Sequence, residues 1–429
     1  MKLLVFAHVP PPHHGQSYMV QLMLNGLGGD HRAHRRKLVA KNATGDVFGI
    51  ECYHVNARLS KTLEDIGELH VVKLLLLFGY CLQAIWCRFR YGVTNFYYIP
   101  APGKSSALVR DWMVMFLCRP FFKRVILHWH AAGLAKWLET AVQIRTRVFT
   151  YQLTKAVDLS IVLSRYNLAD AEKLLPQRVR IVSNGIPDPC PDFDETILPI
   201  RRARFAARAK LLAGEELTAA DAANTGGHPE TVRVLYLAHC MREKGVFDAM
   251  QAVLLANRTL DAAHSPVHLK LQVAGMFVTA DEQAEFDRLM TDPEMAFAVE
   301  YLGFVSGEGK DRAFRSADLF CFPTYYLGEN QPVNLIEAMA YGLPTLTTRW
   351  RSLPEMFPPD YHGLVEIKSP AQAAEGLLVL MRGKTGENAR ERFLTGYTLE
   401  RHLVALAEAI SSVERSAAPQ TRIPVLTKG

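Results

Sequence analysis

Two glutamates eight positions apart, Glu329 and Glu337, lie in the segment from Tyr325 to Pro344, with Asn330, Gln331, Pro332 and Val333 between them. Pro332 suits a first helical turn and Gly342 a helix stop, so the spacing predicts Glu329 in the loop before a helix and Glu337 about one and a half turns into it. The backbone N–H groups from Asn330 to Val333 would then be unpaired donors at the positive end of a helix dipole, a site suited to a diphosphate. A carboxylate beside that anion would accept hydrogen bonds from sugar hydroxyls, those of a ribose diol or of a transferred hexose. Taken alone, the same residues fit a capped amphipathic helix with a solvated Glu337 equally well.

Three further stretches carry possible chemistry. Val232 to Val246 reads as a strand, a loop holding His239, Arg242 and Lys244, and a helix starting near Gly245. A lysine at that sheet edge can reach a phosphate, although a solvated turn lysine has the same spacing. Val9 to Ser17 leaves a first strand and enters a helix, and Gly15 would let backbone approach a ligand. The loop has neither the Gly-x-Gly-x-x-Gly fingerprint nor a following P-loop lysine. His13 and His14 could ligate a metal, but no third ligand stands nearby, and no metal site is assigned. In Val125 to Gly133, a strand would put His128 and His130 on one face. There they could meet a sugar hydroxyl or share a proton, or simply be hydrogen-bonded strand-end histidines.

Positioning these residues requires two cores, and 429 residues at 49% hydrophobic and 21% charged supply them. Short β-branched or aromatic runs alternate with longer helical patterns, the signature of parallel sheets covered on both faces. The runs in the first half are Lys2–His8, Asn95–Ile99, Arg124–His130, Leu159–Leu163 and Val179–Val182. Those in the second are Val232–Leu237, His268–Ala274, Val299–Leu302, Leu319–Phe322 and Pro344–Thr347. Each set makes one Rossmann-like unit. The expected organisation is an N-terminal domain over residues 1–190, a connection over 191–230 with a basic helical stretch from Arg201 to Lys210, and a second domain over 231–395. A C-terminal helix over 396–415 and a loose tail over 416–429 follow.

The net charge of +6 is too small for a dedicated nucleic-acid binder, and no nucleic-acid partner is expected. It is unevenly placed: residues 1–200 hold 24 basic and 15 acidic side chains, so that half should face something anionic. Seven cysteines without a Cys-x-x-Cys pair argue against a disulfide framework or zinc knuckle and fit a reducing compartment. The apolar start Met1 to Val9 is too short for a signal peptide and ends at Pro10-Pro11-Pro12, so it reads as a buried strand. Val71 to Trp86 contains Lys73 and Gln83 and reads as shorter than a spanning helix. Leu74 to Phe78, Trp86, Arg88, Phe89 and Arg90, together with Trp112, Phe116, Arg119 and Phe121 to Arg124, could offer apolar and basic side chains to an anionic membrane surface, and fit ordinary buried helices with solvated ends equally well.

Together the four stretches resemble the retaining glycosyltransferases of family 4, whose GT-B fold sets two Rossmann-like domains face to face. Glu329 and Glu337 match that family's Glu-x7-Glu motif, Lys244-Gly245 its Lys-Gly, Gly15 its N-terminal glycine loop, His130 its strand-end histidine and Asn184-Gly185 its interdomain turn. The resemblance implies an α/β GT-B fold with a C-terminal helix able to cross back to the N-terminal domain. It implies Lys244 on a donor diphosphate, Glu337 on its ribose, and Glu329 on the transferred sugar, with the amides of Asn330, Gln331 and Val333 around Pro332 completing the cradle. His130 would lie by the sugar and Gly15 by the phosphate and acceptor. The implied activity is metal-independent, cofactor-free transfer, with retention, from a nucleotide sugar to a glycan or polyprenyl-diphosphate-linked acceptor in polysaccharide synthesis. The expected location is the cytoplasm, at the inner face of the cytoplasmic membrane. Two departures stand out: His239 occupies the place of a family arginine unless Arg242 substitutes, and Asn330-Gln331 replaces the usual Gly-Phe. A nucleotide-sugar epimerase of the same fold and a non-catalytic sugar-nucleotide-binding protein are the alternatives.

Overall fold

The computed structural model describes residues 1–415 apart from 12–13, 37–47, 60–70, 101–102, 220, 222–224, 226–227 and 384–385. His13 and the tail from Ser416 therefore lie outside the described residues.

The first sheet contains β1 (Lys2–Ala7), β2 (Glu51–Asn56), β3 (Asn95–Tyr98), β4 (Arg124–Trp129), β5 (Leu159–Val162) and β6 (Val179–Ile181), in the order β2-β1-β3-β4-β5-β6. The second contains β7 (Thr231–Leu237), β8 (His268–Ala274), β9 (Val299–Gly303), β10 (Leu319–Phe322), β11 (Thr345–Thr348) and β12 (Leu364–Val365), in the order β12-β11-β10-β7-β8-β9. Neighbouring strands are parallel throughout both sheets. All residues of β3, β5, β10 and β11 are buried, as parallel strands covered on both faces should be. Strand period 2 divides β1 between two cores: Leu4 and Phe6 join one, Leu3, Val5 and Ala7 the other. The two-domain α/β expectation is met.

Two strands escaped the sequence reading. In β2, Glu51, His54 and Asn56 interrupt the apolar run, which an edge strand paired only with β1 tolerates. β12 has just two residues, too few to show a period.

The helix Leu399–Ser411 carries Leu406, Ala407 and Ile410 into the core with Leu3 and Val5, so the chain's end crosses back to the first sheet. It meets the interdomain turn on the way: Ile186 donates to Tyr397 O at 3.0 Å and Leu399 donates to Ile186 O at 2.8 Å. Gly185 is required there, because a Cβ would stand 2.3 Å from Thr398 O. Three arginines of the basic stretch after the turn are buried. In the helix Leu198–Leu212, Arg204 and Arg208 are buried on Asp318 at 3.1 and 3.0 Å, and Arg201 donates to the carbonyls of Tyr341 and Gly342.

The apolar segment at Val71 also departs from expectation. Its helix continues through Arg88 and Arg90 to Tyr91, 21 residues that include an 18-residue window of mean hydropathy 1.5, so by length and composition it could cross a bilayer, the only such helix among the described residues. Gly92, at φ +67°, follows its last turn.

Candidate functional site

The loops after β4, β5 and β6 face those after β7, β10 and β11, so the carboxyl ends of both sheets border one cleft. Each sheet reverses strand order there, between β1 and β3 and between β7 and β10, where open α/β sheets bind ligands.

Lys244 and Glu329 are brought together. Lys244 ends a single turn, Arg242–Lys244, and Gly245 at φ +84° starts the next helix, Val246–Ala262. A Cβ on Gly245 would lie 2.4 Å from Pro323 O, so only glycine lets the β7 loop press against the β10 loop. Lys244 Nζ is thereby placed 2.7 Å from Glu329 Oε2 and 4.4 Å from the Tyr326 ring centroid. The Thr324 hydroxyl donates to the same carboxylate oxygen at 3.0 Å. Glu329 is only 6% exposed, and two charge-assisted bonds offset its burial.

Glu337 lies on the helix Val333–Ala340, with Pro332 as its N-cap and Gly342, at φ +61°, past its end. Leu343 N donates to Ala338 O at 2.8 Å and Gly342 N to Met339 O at 2.9 Å, a Schellman closure. Glu337 is buried and pairs at 2.5 Å with Lys310, from the helix Gly307–Ser316. Burial raises its pKa above the ordinary carboxyl value, and Lys310 opposes that rise. Sequence reasoning missed Lys310, since nothing in one chain pairs a lysine with a carboxylate 27 positions away.

Among the described residues, the backbone N–H groups of Asn330, Gln331 and Val333 have no protein acceptor; Pro332 has no N–H and instead fixes the backbone between them. The two side chains replacing the usual Gly-Phe tie the domains together. Gln331 Oε1 accepts from Asn184 N at 2.9 Å, its Nε2 donates to Leu163 O at 2.9 Å, and Asn184 Nδ2 donates to Gln331 O at 3.0 Å. The Ser164 hydroxyl, from the first domain, lies 3.4 Å from Asn330 Oδ1, to which the Ser352 hydroxyl donates at 2.9 Å. Gln331 therefore has its backbone amide, not its side chain, left for a ligand.

Arg242 points elsewhere. Its guanidinium pairs with Glu285 and lies 4.8 Å over the Phe247 ring, while its amide donates to Glu282 at 2.7 Å. His239 is held below its ordinary pKa by burial and by Lys244, so neither residue offers a second fixed cation beside Glu329. Arg351, unnoticed in the sequence, reaches across the cleft to Ala132 O.

On the opposite wall, Gly15 is the first residue of the helix Gly15–Gly26. His14 caps that helix, its Nδ1 accepting from Ser17 N at 3.3 Å, and its Nε2 lies 2.7 Å from His8 Nε2. With Nδ1 accepting, the proton sits on His14 Nε2 and is donated to His8. Burial holds both at about 4 and His130 at about 3. His128 and His130 lie side by side, ring centroids 4.3 Å apart. His128 is fully buried against the Tyr97 hydroxyl, whereas His130 is partly open and neutral, able to exchange hydrogen bonds with an uncharged ligand.

Residues 221–394 match the family model described as glycosyl transferases group 1. The amylovoran biosynthesis glycosyltransferase AmsK of Erwinia amylovora is 24% identical over 154 residues, 35% of this chain and 36% of that protein. The aligned region thus spans about a third of that relative's length. Sucrose-phosphate synthase from Thermosynechococcus elongatus superimposes with a TM-score of 0.62 at 17% identity over 96% of this chain and 99% of that one. HepE of Anabaena, solved with UDP-glucose, does so at 0.57 and 13% identity over 96% and 99%. These likenesses show the fold, and with the matched segment they support a GT-B glycosyltransferase.

Proposed function

We propose that this chain transfers a sugar, with retention of configuration, from a nucleotide-sugar donor to a glycan or polyprenyl-diphosphate-linked glycan in cell-surface polysaccharide assembly, in the cytoplasm at the inner face of the membrane. The observation carrying this reading is the Lys244–Glu329 pair, 2.7 Å apart beside unpaired amides at a helix start. HepE, of the same fold, binds UDP-glucose, and AmsK by its name is a glycosyltransferase of amylovoran biosynthesis.

Cleaving a glycosyl–phosphate bond builds negative charge on the diphosphate and positive charge at the sugar carbon. In this reading the diphosphate takes Lys244 from Glu329 and rests on the amides of Asn330, Gln331 and Val333. Glu329, relieved of the ammonium, accepts hydrogen bonds from the transferred sugar. Glu337 accepts from the ribose diol, and neutral His130 meets a sugar hydroxyl. The bond from the anomeric carbon to the phosphate oxygen breaks as the acceptor oxygen bonds to the same face, and the acceptor's proton passes to the departing phosphate. Charge is met by side chain and backbone, so turnover should survive a chelator.

Incubation with a panel of nucleotide sugars, with and without lipid-linked acceptors, tests the reading, with product anomers assigned by NMR. Transfer with retained configuration is expected. Donor epimerisation without an acceptor would make the protein an epimerase, and binding without turnover would make it a scaffold.

A further inference from the structure

We propose that the face built from the helices Val71–Tyr91, Ser105–Cys118 and Ile144–Thr154 docks flat onto an anionic phospholipid bilayer. The Val71 helix carries two apolar stripes. Leu77, Cys81, Ala84 and Cys87 are buried in the domain's core. Val71, Leu75, Phe78, Leu82, Trp86 and Phe89 recur at helical spacing and are 42% to 73% exposed. At 3.6 residues per turn these six fall within an arc of ~80°, opposite the buried four. A helix fastened to its own domain along one side does not leave it to span a membrane, but it can lay the other side into the headgroup boundary.

The surface continues beyond that helix. The Phe89 ring meets that of Phe121 edge-on at 6.0 Å, and Arg88 Nε donates to Phe121 O at 2.8 Å. Trp112 donates to Thr150 at 2.9 Å and packs edge-on against Phe149, which is itself 47% exposed. Phe116 and Ile144, at 67% and 64% exposed, extend the apolar surface. Charge selects the occupant: the Val71 and Ile144 helices contain no acidic residue but hold Lys73, Arg88, Arg90, Arg145 and Arg147. Asp111, the one acid of the Ser105 helix, is buried and accepts from the Tyr98 hydroxyl at 2.6 Å. Apolar ridges ringed by cations match an anionic leaflet, whereas two such faces would repel one another in a dimer.

The full-length protein is floated with vesicles of phosphatidylcholine, with and without phosphatidylglycerol, at low and high salt. It should float with the anionic vesicles and release as salt rises. Leu82→Glu with Trp86→Glu should cut partitioning by about tenfold or more with little change in thermal melting, because both side chains are about half exposed and, among the described residues, the only ring Trp86 meets is that of Tyr91, edge-on. Arg90→Ser with Arg145→Ser, which leaves the apolar stripe intact, should cut it about fivefold for each arginine. Absence of flotation, or undiminished flotation of both double variants, overturns the proposal. So does a concentration-dependent dimer in sedimentation velocity that the Leu82/Trp86 variant dissolves while no vesicle is bound. The docking face rests on the proposed membrane location, so only that location falls if flotation fails; titrating the protein with UDP and with GDP tests the donor site, and with it sugar transfer, separately.

Discussion

Gly15 and Val333 open helices from opposite domains and face one another across the cleft: a Cβ built on Gly15 would stand 3.7 Å from Val333 Cγ2. Two helix N-termini thus aim partial positive charge into one gap, the setting a diphosphate needs. Gly15→Ala adds a methyl at ordinary contact distance, so melting should hold while the Michaelis constant for the nucleotide sugar rises. Gly15→Leu should fill the gap and abolish turnover. A Leu variant that turns over normally would mean that no anion passes between these helices.

The Lys244–Glu329 pair makes two predictions separable. Lys244→Ala should lower turnover at least tenfold, since a charge-assisted phosphate contact is worth about 1.5–3 kcal/mol. It should also lower melting, because Glu329 is left buried with only Thr324 as a partner. Lys244→Met combined with Glu329→Gln should recover the melting temperature and not the turnover. Recovery of both would reduce the pair to a structural ion pair.

The fold and half of the cleft were legible because they rest on local rules. Pro332 and Gly342 bracket their helix, and Gly245 marks a backbone crossing, each through a constraint carried by the residue itself. What was not legible depends on chain segments meeting. Lys310 finds Glu337, Gln331 finds Asn184 and Glu355 finds Tyr166 only after the sheets have formed. Arg204 and Arg208 read only as part of a basic helical stretch because their partner, Asp318, lies more than a hundred residues away. The Val71 helix was cut short at Trp86 because Arg88 and Arg90 broke its apolar run.

Glu337→Gln should raise the Michaelis constant for the nucleotide sugar with little change in turnover, as expected for a group that holds ribose equally in ground and transition states. Lys310→Met removes what opposes the burial of Glu337, so the pH below which donor affinity falls should move upward. An unchanged Michaelis constant in the Gln variant would count against the ribose role.

The neutral histidines predict an acid-sensitive N-terminal domain. His8 and His14 titrate at about 4 in the folded protein, against an ordinary 6.5. Below about pH 6.5 the unfolded chain therefore takes up protons that the folded one refuses. Stability should be full above that pH and fall toward pH 4, by up to ~1.4 kcal/mol per pH unit for each histidine. His14→Asn keeps a helix-capping side chain and removes one titrating ring, so urea unfolding between about pH 7 and pH 5 should show a shallower slope. An equal slope would place the sensitivity elsewhere.

Glu355 closes the rim of the cleft. Its two oxygens accept from the backbone amides of Arg165 and Tyr166 at 2.8 and 2.7 Å, bridging from the second domain to the loop after β5. The clamp is exposed, whereas Gln331 pins the same two domains from a buried position. The two should therefore fail differently. Gln331→Ala strands Asn184 N and Leu163 O away from water, at about 1–3 kcal/mol for each group left unsatisfied, and should lower melting. Glu355→Gln turns one acceptor into a donor facing an amide, in a place that water can reach. It should leave melting nearly unchanged, enlarge the radius of gyration measured by X-ray scattering without ligand, and raise the donor Michaelis constant. Identical scattering and kinetics would show that Glu355 does not set the opening of the cleft, leaving the buried bonds of Gln331 with Asn184 and Leu163 to hold the two domains at this rim.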